Sequence, residues 1–293
     1  MEHVQWIGET GLSGLRLSLP LVLAAWAGLV SERSGVINIA LEGLLLIGAF
    51  AAAASATIFH PGLASIVAAL SGITLMMIYG LFVLRWESDQ VVAGTAINLL
   101  AAALPPVLGK VFFQTTGSTP ALELHQRLHF APWIWALLAG VGVTYLYHRS
   151  VFGLRLRFAG EKPEALEAAG VSVLRVRWGA LVLAGALGGL GGATLSLFFA
   201  SSFSRDMSAG RGFMALAALI VGRWKPLPAL AGCLLFGFTD AIQMRLQGSE
   251  SLGWIPLQLV QSFPYILTLL LISGLVGRSL APAALGRKWN APS

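Results

Sequence analysis

Apolar runs of about twenty residues, divided by short polar breaks, fill most of this chain. A helix rises 1.5 Å per residue, so a run of that length crosses a hydrocarbon core. The pattern predicts helical spans near 11–30, 36–59, 62–84, 90–108, 131–148, 178–200, 212–222, 227–244 and 255–276. Lipid-exposed strands are no alternative, because every backbone donor inside a bilayer must be satisfied locally. The expected fold class is all-α: a polytopic transmembrane helix bundle of about 8–10 helices in a single domain over residues 1–293. The run 212–222 is too short to cross alone and reads as a half-helix completed by its neighbours.

One long polar stretch, 149–177, interrupts the pattern. Pro163 suits the first position of a helix and Gly170 a left-handed stop, which leaves a helix of two turns between them. Glu164 and Glu167 are favoured near the positive end, and Ala165, Leu166, Ala168 and Ala169 offer a small, mostly apolar surface. The stretch is either an ordinary charged loop or a handle for a soluble partner. In the second case Glu161, Pro163, Glu164, Glu167, Ala168 and Gly170 are the candidate docking residues.

Composition agrees with a membrane protein: 56% of residues are hydrophobic and 11% charged, with mean hydropathy +0.78. Soluble domains carry about 25% charged residues. The net charge of +6 is scattered at the ends of apolar runs, so it marks topology and not a nucleic-acid surface. With 149–177 placed in the cytoplasm and the spans alternating, 13 of the 19 Lys and Arg residues fall inside and 5 outside, Arg16 lying within the first span. The same alternation predicts a cytoplasmic C-terminus and an external N-terminus. The start M-E-H-V-Q-W lacks the basic region of a cleavable signal, so the first span is expected to be retained. Cys233 is the sole cysteine, which rules out an intrachain disulfide.

Polar groups inside spans are the candidates for chemistry. Asn38 and Glu42 lie one helical turn apart, Asn98 sits within the fourth span, and Asp240 and Gln243 in the eighth. Together they make a sparse lining suited to an uncharged polar solute, or else they are hydrogen-bonding glue between helices. The run G-A-L-G-G-L-G-G-A at 185–193 has the four-residue small spacing of closely packed membrane helices. There is no Walker A, G-x-S-x-G or H-E-x-x-H sequence, so energy comes from another chain or an ion gradient. The five histidines are dispersed without metal-ligand spacing, which speaks against a metal site or a membrane-embedded enzyme.

Four blocks carry a family resemblance: S-E-R-S-G-V-I-N-I-A-L-E-G-L-L-L-I-G-A-F (31–50), D-Q-V-V-A-G-T-A-I-N-L-L (89–100), G-L-R-L-R-F-A-G-E-K-P-E-A-L-E-A-A-G-V-S-V (153–173) and S-A-G-R-G-F-M-A-L-A-A-L-I-V-G-R-W-K-P (208–226). In this order they resemble permease subunits of ABC importers, in the group serving branched-chain amino acids, ribose and nucleosides. The wording at 31–50 and 208–226 is most similar to nucleoside permeases.

The resemblance implies a multi-pass subunit of the plasma (inner) membrane with no cofactor of its own. ATP and Mg would sit on a separate cytoplasmic ATPase. It implies a second permease subunit, often a non-identical homologue, and an extracytoplasmic solute-binding protein or lipoprotein. It makes 161–170 the coupling helix and a purine nucleoside the expected solute, with ribose or another simple sugar as the alternative. An ion-coupled secondary transporter would need Glu42 or Asp240 as its ion site and would leave the handle without a task.

Overall fold

The computed structural model describes residues 2–247 and 281–289, with four further helical positions at 259, 262, 266 and 269; side chains are described from residue 8 onward. The span expected at 255–276 lies outside the described residues apart from those four positions. Among the described residues ten α-helices run in order: α1 (Glu2–Arg33), α2 (Leu41–Ala56), α3 (Pro61–Gly80), α4 (Gln90–Phe113), α5 (Ala131–Arg149), α6 (Val151–Glu161), α7 (Pro163–Ala168), α8 (Val173–Thr194), α9 (Arg211–Val221) and α10 (Pro226–Gln247). Single π turns, Leu81–Arg85 and Leu195–Phe199, extend α3 and α8. Among the described residues, six helical segments are long and apolar enough to cross a membrane, and α2 and α9 are shorter apolar helices.

Local chemistry sets the helix ends. His60 Nδ1 accepts from the Gly62 N–H (3.1 Å) ahead of α3, and the Asp89 carboxylate accepts from Val91 and Val92 N–H (2.9 Å each) at the start of α4. These are side-chain caps for donors that a helix leaves open. Ser150 Oγ takes the Gly153 N–H (2.9 Å) and so starts α6, an eleven-residue helix inside a stretch that its charge marks as a loop. The second expected span also differs. Residues 36–40 are not helical, and α2 begins only at Leu41.

Helix α8 is the hub, packed against α1, α2 and α3. Its glycines bring backbone against backbone. A Cβ at Gly185 would lie 2.6 Å from the Gly72 carbonyl oxygen, one at Gly189 would strike the Ala68 carbonyl, and one at Gly192 the Leu45 carbonyl. Helices α1 and α10 approach in the same way at Gly237, where a Cβ would lie 2.6 Å from the Gly14 carbonyl oxygen. Between lipid-solvated helices such packing replaces a hydrophobic driving force. Helix α5 is held more lightly. Of its most apolar stretch 17% is buried, against 72% for the α8 span.

On the face away from α7, the α4–α5 loop lies along the segment after α8. Leu122 N–H bonds to the Ser201 carbonyl (2.6 Å), Thr119 N–H to Phe203 (3.1 Å) and Arg205 N–H to Gly117 (2.7 Å). Because α1 runs unbroken from Glu2 to Arg33 and Arg33 meets Glu161 beside α7, the start of α1 lies at the end of the bundle opposite α7.

Replacing Gly185 by Leu is expected to lose most of the folded protein from membranes, since overpacking alone costs about 1–3 kcal/mol and the obstacle here is backbone. Gly142→Leu, where nothing lies within 4 Å of the added Cβ, should be tolerated. Detergent-resistant folded protein per cell, read by fluorescence size-exclusion chromatography, checks both.

Candidate functional site

The site is organised by a break in the helical backbone. After Arg33 the chain turns at Gly35 (φ +94°) and runs non-helically to Ala40, with Val36, Asn38 and Ala40 fully buried. Irregular backbone at such a place persists only if its polar groups find partners in the protein. Side chains from three neighbouring helices supply them. Gln90 Oε1 accepts from Ile37 N–H (2.8 Å), and Tyr79 donates its hydroxyl to the Ile37 carbonyl (2.5 Å). Glu32 Oε1 accepts from Asn38 N–H (3.2 Å). Asn98 donates to the Ile39 carbonyl (3.0 Å) and accepts from Gly43 N–H (2.8 Å), so it spans the break and caps α2.

Just beyond, two helix N-termini meet on one carboxylate. Glu42, in the first turn of α2, accepts from Ser208 Oγ (2.5 Å) and Gly210 N–H (2.8 Å) through Oε1, and from Gly212 N–H (2.7 Å) through Oε2. Those donors form the start of α9, so Glu42 serves as its cap from another helix. Each helix N-terminus carries roughly half a positive charge, and the carboxylate, carried on the first turn of α2, is turned to the start of α9. Gly212 is what lets them meet, since a Cβ there would lie 2.5 Å from the Glu42 Cα.

The far end of α9 is gripped as well. Arg223 and Trp224 both take left-handed backbone (φ +53° and +52°), which aims the buried indole inward. Trp224 Nε1 donates to Glu32 Oε2 (2.5 Å), and its carbonyl accepts from Arg33 Nε (2.8 Å). Glu32 and Glu42 therefore bracket the half-helix.

The five residues predicted as a pathway lining separate into groups. Asn38, Glu42 and Asn98 gather at the break. The Asn38 amide is fully buried, and neither its nitrogen nor its oxygen has a hydrogen-bond partner among the described residues. Asp240, half-buried on α10, lies within electrostatic reach of Arg211 at the start of α9. Gln243 stands one turn further along α10, and neither of these two bonds to Glu42 or Asn98. The sequence reading passed over Glu32, Tyr79, Gln90, Ser208 and Trp224. Glu32, a carboxyl at the end of an apolar run, carried the same signal as Glu42.

Helix α7 forms the second part of the site. Pro163 opens it, Gly170 (φ +77°) closes it, and Pro163 and Leu166 are buried beneath it. Glu164, Ala165, Ala168, Ala169 and Gly170 face out as an exposed platform of mostly small residues. Glu167 does not favour the positive end of its own helix. Its Oε2 accepts from Val173 N–H (3.0 Å) and so caps α8. Glu161 pairs with Arg33 (2.9 Å) through Oε1 and accepts from Ala283 N–H (3.2 Å) through Oε2. Of the six candidate docking residues, then, Glu164, Ala168 and Gly170 are free to meet a partner, while Pro163, Glu161 and Glu167 hold α7 in place.

A family model described as branched-chain amino acid transport system / permease component matches residues 11–272. The chain belongs to this permease family. It is 32% identical to the nucleoside ABC transporter permease protein NupC of Lactococcus lactis subsp. cremoris, covering 92% of each chain. It is also 32% identical to the guanosine ABC transporter permease protein NupQ of Bacillus subtilis, covering 98% of each. The permease fold is shared with an inward-facing metal-chelate type ABC transporter, at TM-score 0.52 and 18% identity over 89% of this chain and 85% of that one. This permease is thus a multi-pass transport subunit and not an enzyme.

Glu42→Ala is expected to leave the donors at the start of α9, Ser208 Oγ and the Gly210 and Gly212 N–H groups, unpaired and to lower stability by about 2 kcal/mol or more, within the usual cost of a buried unsatisfied polar group. Glu42→Gln, which keeps an acceptor and loses the charge, should fall between it and the wild type. Thermal unfolding midpoints of the purified permease in detergent give the order.

Proposed function

We propose that this permease carries a purine nucleoside across the plasma (inner) membrane into the cytoplasm, driven by a separate ATPase that docks on α7. The observation that carries the substrate class is the 32% identity, over 92–98% of the chain, to two permeases described for nucleosides and guanosine. A glucose permease relative from Haloferax volcanii stands at 28%, which ranks a simple sugar second.

Docking on α7 rests on its shape. A platform of small residues, anchored underneath by Pro163 and Leu166 and tied at both ends by Glu161 and Glu167, can bear on a partner's cleft without unravelling. Arg155 and Arg175 border a 310 Å³ hollow beside Gly170 and suit acidic groups on that partner. ATP and Mg are bound by the ATPase, and this chain needs no cofactor. A second permease subunit, a non-identical homologue, completes the pathway, and an extracytoplasmic binding protein or lipoprotein delivers the solute. The α7 end, with residues 281–289 beside it, faces the cytoplasm, in keeping with the bias of the basic residues.

An ion-coupled mechanism is disfavoured by Glu42, whose oxygens are committed to three donors inside the chain.

Uptake of labelled guanosine and labelled ribose in cells lacking the gene tests the substrate. Wild type should restore guanosine and not ribose, and the reverse would move the permease to sugars. Ala165→Lys, which changes only an exposed face of α7, is expected to cut guanosine uptake at least tenfold at matched membrane level and to release the ATPase on purification. Uptake and ATPase capture both at wild-type level in this variant would remove the docking assignment.

A further inference from the structure

Residues 281–289 close over the α7 end of the bundle and touch the segments a docking signal must cross. Ala284 N–H bonds to the Gly160 carbonyl (2.7 Å), and Ala283 N–H to Glu161 Oε2 (3.2 Å), both just ahead of α7. Gly286 N–H bonds to the Gly35 carbonyl (3.0 Å), at the start of the backbone break. Trp289 packs on the cluster that contains Leu166 of α7 and Val30 of α1.

Three glycines make the closure possible. Gly35 (φ +94°) and Gly286 (φ +76°) use left-handed backbone, which side-chain-bearing residues resist. A Cβ on Gly160 would strike the Arg33 carbonyl, and one on Gly286 would lie 2.8 Å from Ile37 Cδ1.

Arg177 fastens the layers together. It is 1% exposed, yet no carboxylate pairs with it among the described residues. Its Nε donates to the Ser34 carbonyl (3.1 Å) and its Nη1 to the Arg287 carbonyl (3.2 Å), while Nη2 has no hydrogen-bond partner among the described residues. A buried guanidinium is expensive unless its surroundings are held in place around it. Here it joins the break on one side to 281–289 on the other.

We propose that 281–289 is a transmission strap, and that Arg177 positions it. The strap ties the lead-in of α7 to the break at 34–40, so that displacement of α7 is passed to Glu32 and Glu42 and from them to both ends of α9. The proposal builds on the reading of α7 as the ATPase dock. Coupling is carried by a contiguous run of paired groups: α7, Gly160 and Glu161, the strap, Gly35, then the bracket around α9. Without the strap, α7 retains its platform and still binds the ATPase, and only the Glu161–Arg33 pair, which leads on to the Trp224 carbonyl, ties it to α9. ATP is then hydrolysed without matching movement of solute.

The test compares wild type with a deletion of residues 281–293, Gly286→Val and Arg177→Met, each in the assembled transporter reconstituted in vesicles. ATP hydrolysed per labelled guanosine transported is the readout, beside capture of the ATPase. The expected result is retained capture and at least a fivefold rise in ATP per guanosine. A merely structural role would lower both activities in step with the amount of folded protein and leave the ratio unchanged.

An unchanged ratio in Gly286→Val and Arg177→Met overturns the proposal, even if the deletion fails to assemble. Loss of ATPase capture in those two variants also overturns it, because the strap would then belong to the dock itself. Failure of the dock reading is seen separately, as retained capture and retained uptake in Ala165→Lys.

Discussion

A backbone that leaves the helical path inside a bundle must find hydrogen-bond partners within the protein, because lipid and apolar side chains supply none. In this permease that constraint falls on residues 34–40. Gln90, Tyr79, Glu32 and Asn98 reach the break from α4, α3 and α1 and bond to its peptide groups. Helices α1, α3 and α4 all pack on α2, which puts these side chains within reach of the break. Their polar groups are spent on main chain. The Asn38 side-chain amide is the exception, being buried and without a partner among the described residues.

The same logic accounts for α9. An eleven-residue helix has two ends inside the protein, and each needs charge and hydrogen bonds of the right sense. Glu42 answers the N-terminus. At the other end the left-handed pair Arg223 and Trp224 turns the chain back, so that Glu32 and Arg33 hold Trp224. Carboxylates that look like solute or ion sites in an apolar sequence are here the fastenings of a half-helix.

The lengths of the apolar runs made most of the bundle legible, including the shortness of 212–222, and Pro163 and Gly170 marked the limits of α7. Glycine spacing in 185–193 likewise announced the close approach seen at Gly72, Ala68 and Leu45. Periodicity reports how apolar a run is, however, and not where its hydrogen bonds go. Residues 36–40 are as apolar as a helix and are not one. Residues 151–161 are charged like a loop but form α6 once Ser150 caps them. The two candidate sets suffered from the same blindness. The sequence places Glu167 near the positive end of its own helix and Asn98 within an apolar span, but the groups they bond to, Val173 and the Ile39–Gly43 segment, are set by tertiary structure alone.

The contrast between α8 and α5 has a mechanical consequence. Where α2, α3 and α8 meet through bare backbone, ridges have no side chains to repack, so these helices can shift only as one block. Helix α5, with most of its surface facing away from the bundle, leads directly into α6 and α7. Compliance in this molecule is therefore uneven, stiff around the glycine seam and soft along α5. A force applied at the membrane surface will bend the molecule on its α5 side before it deforms the seam.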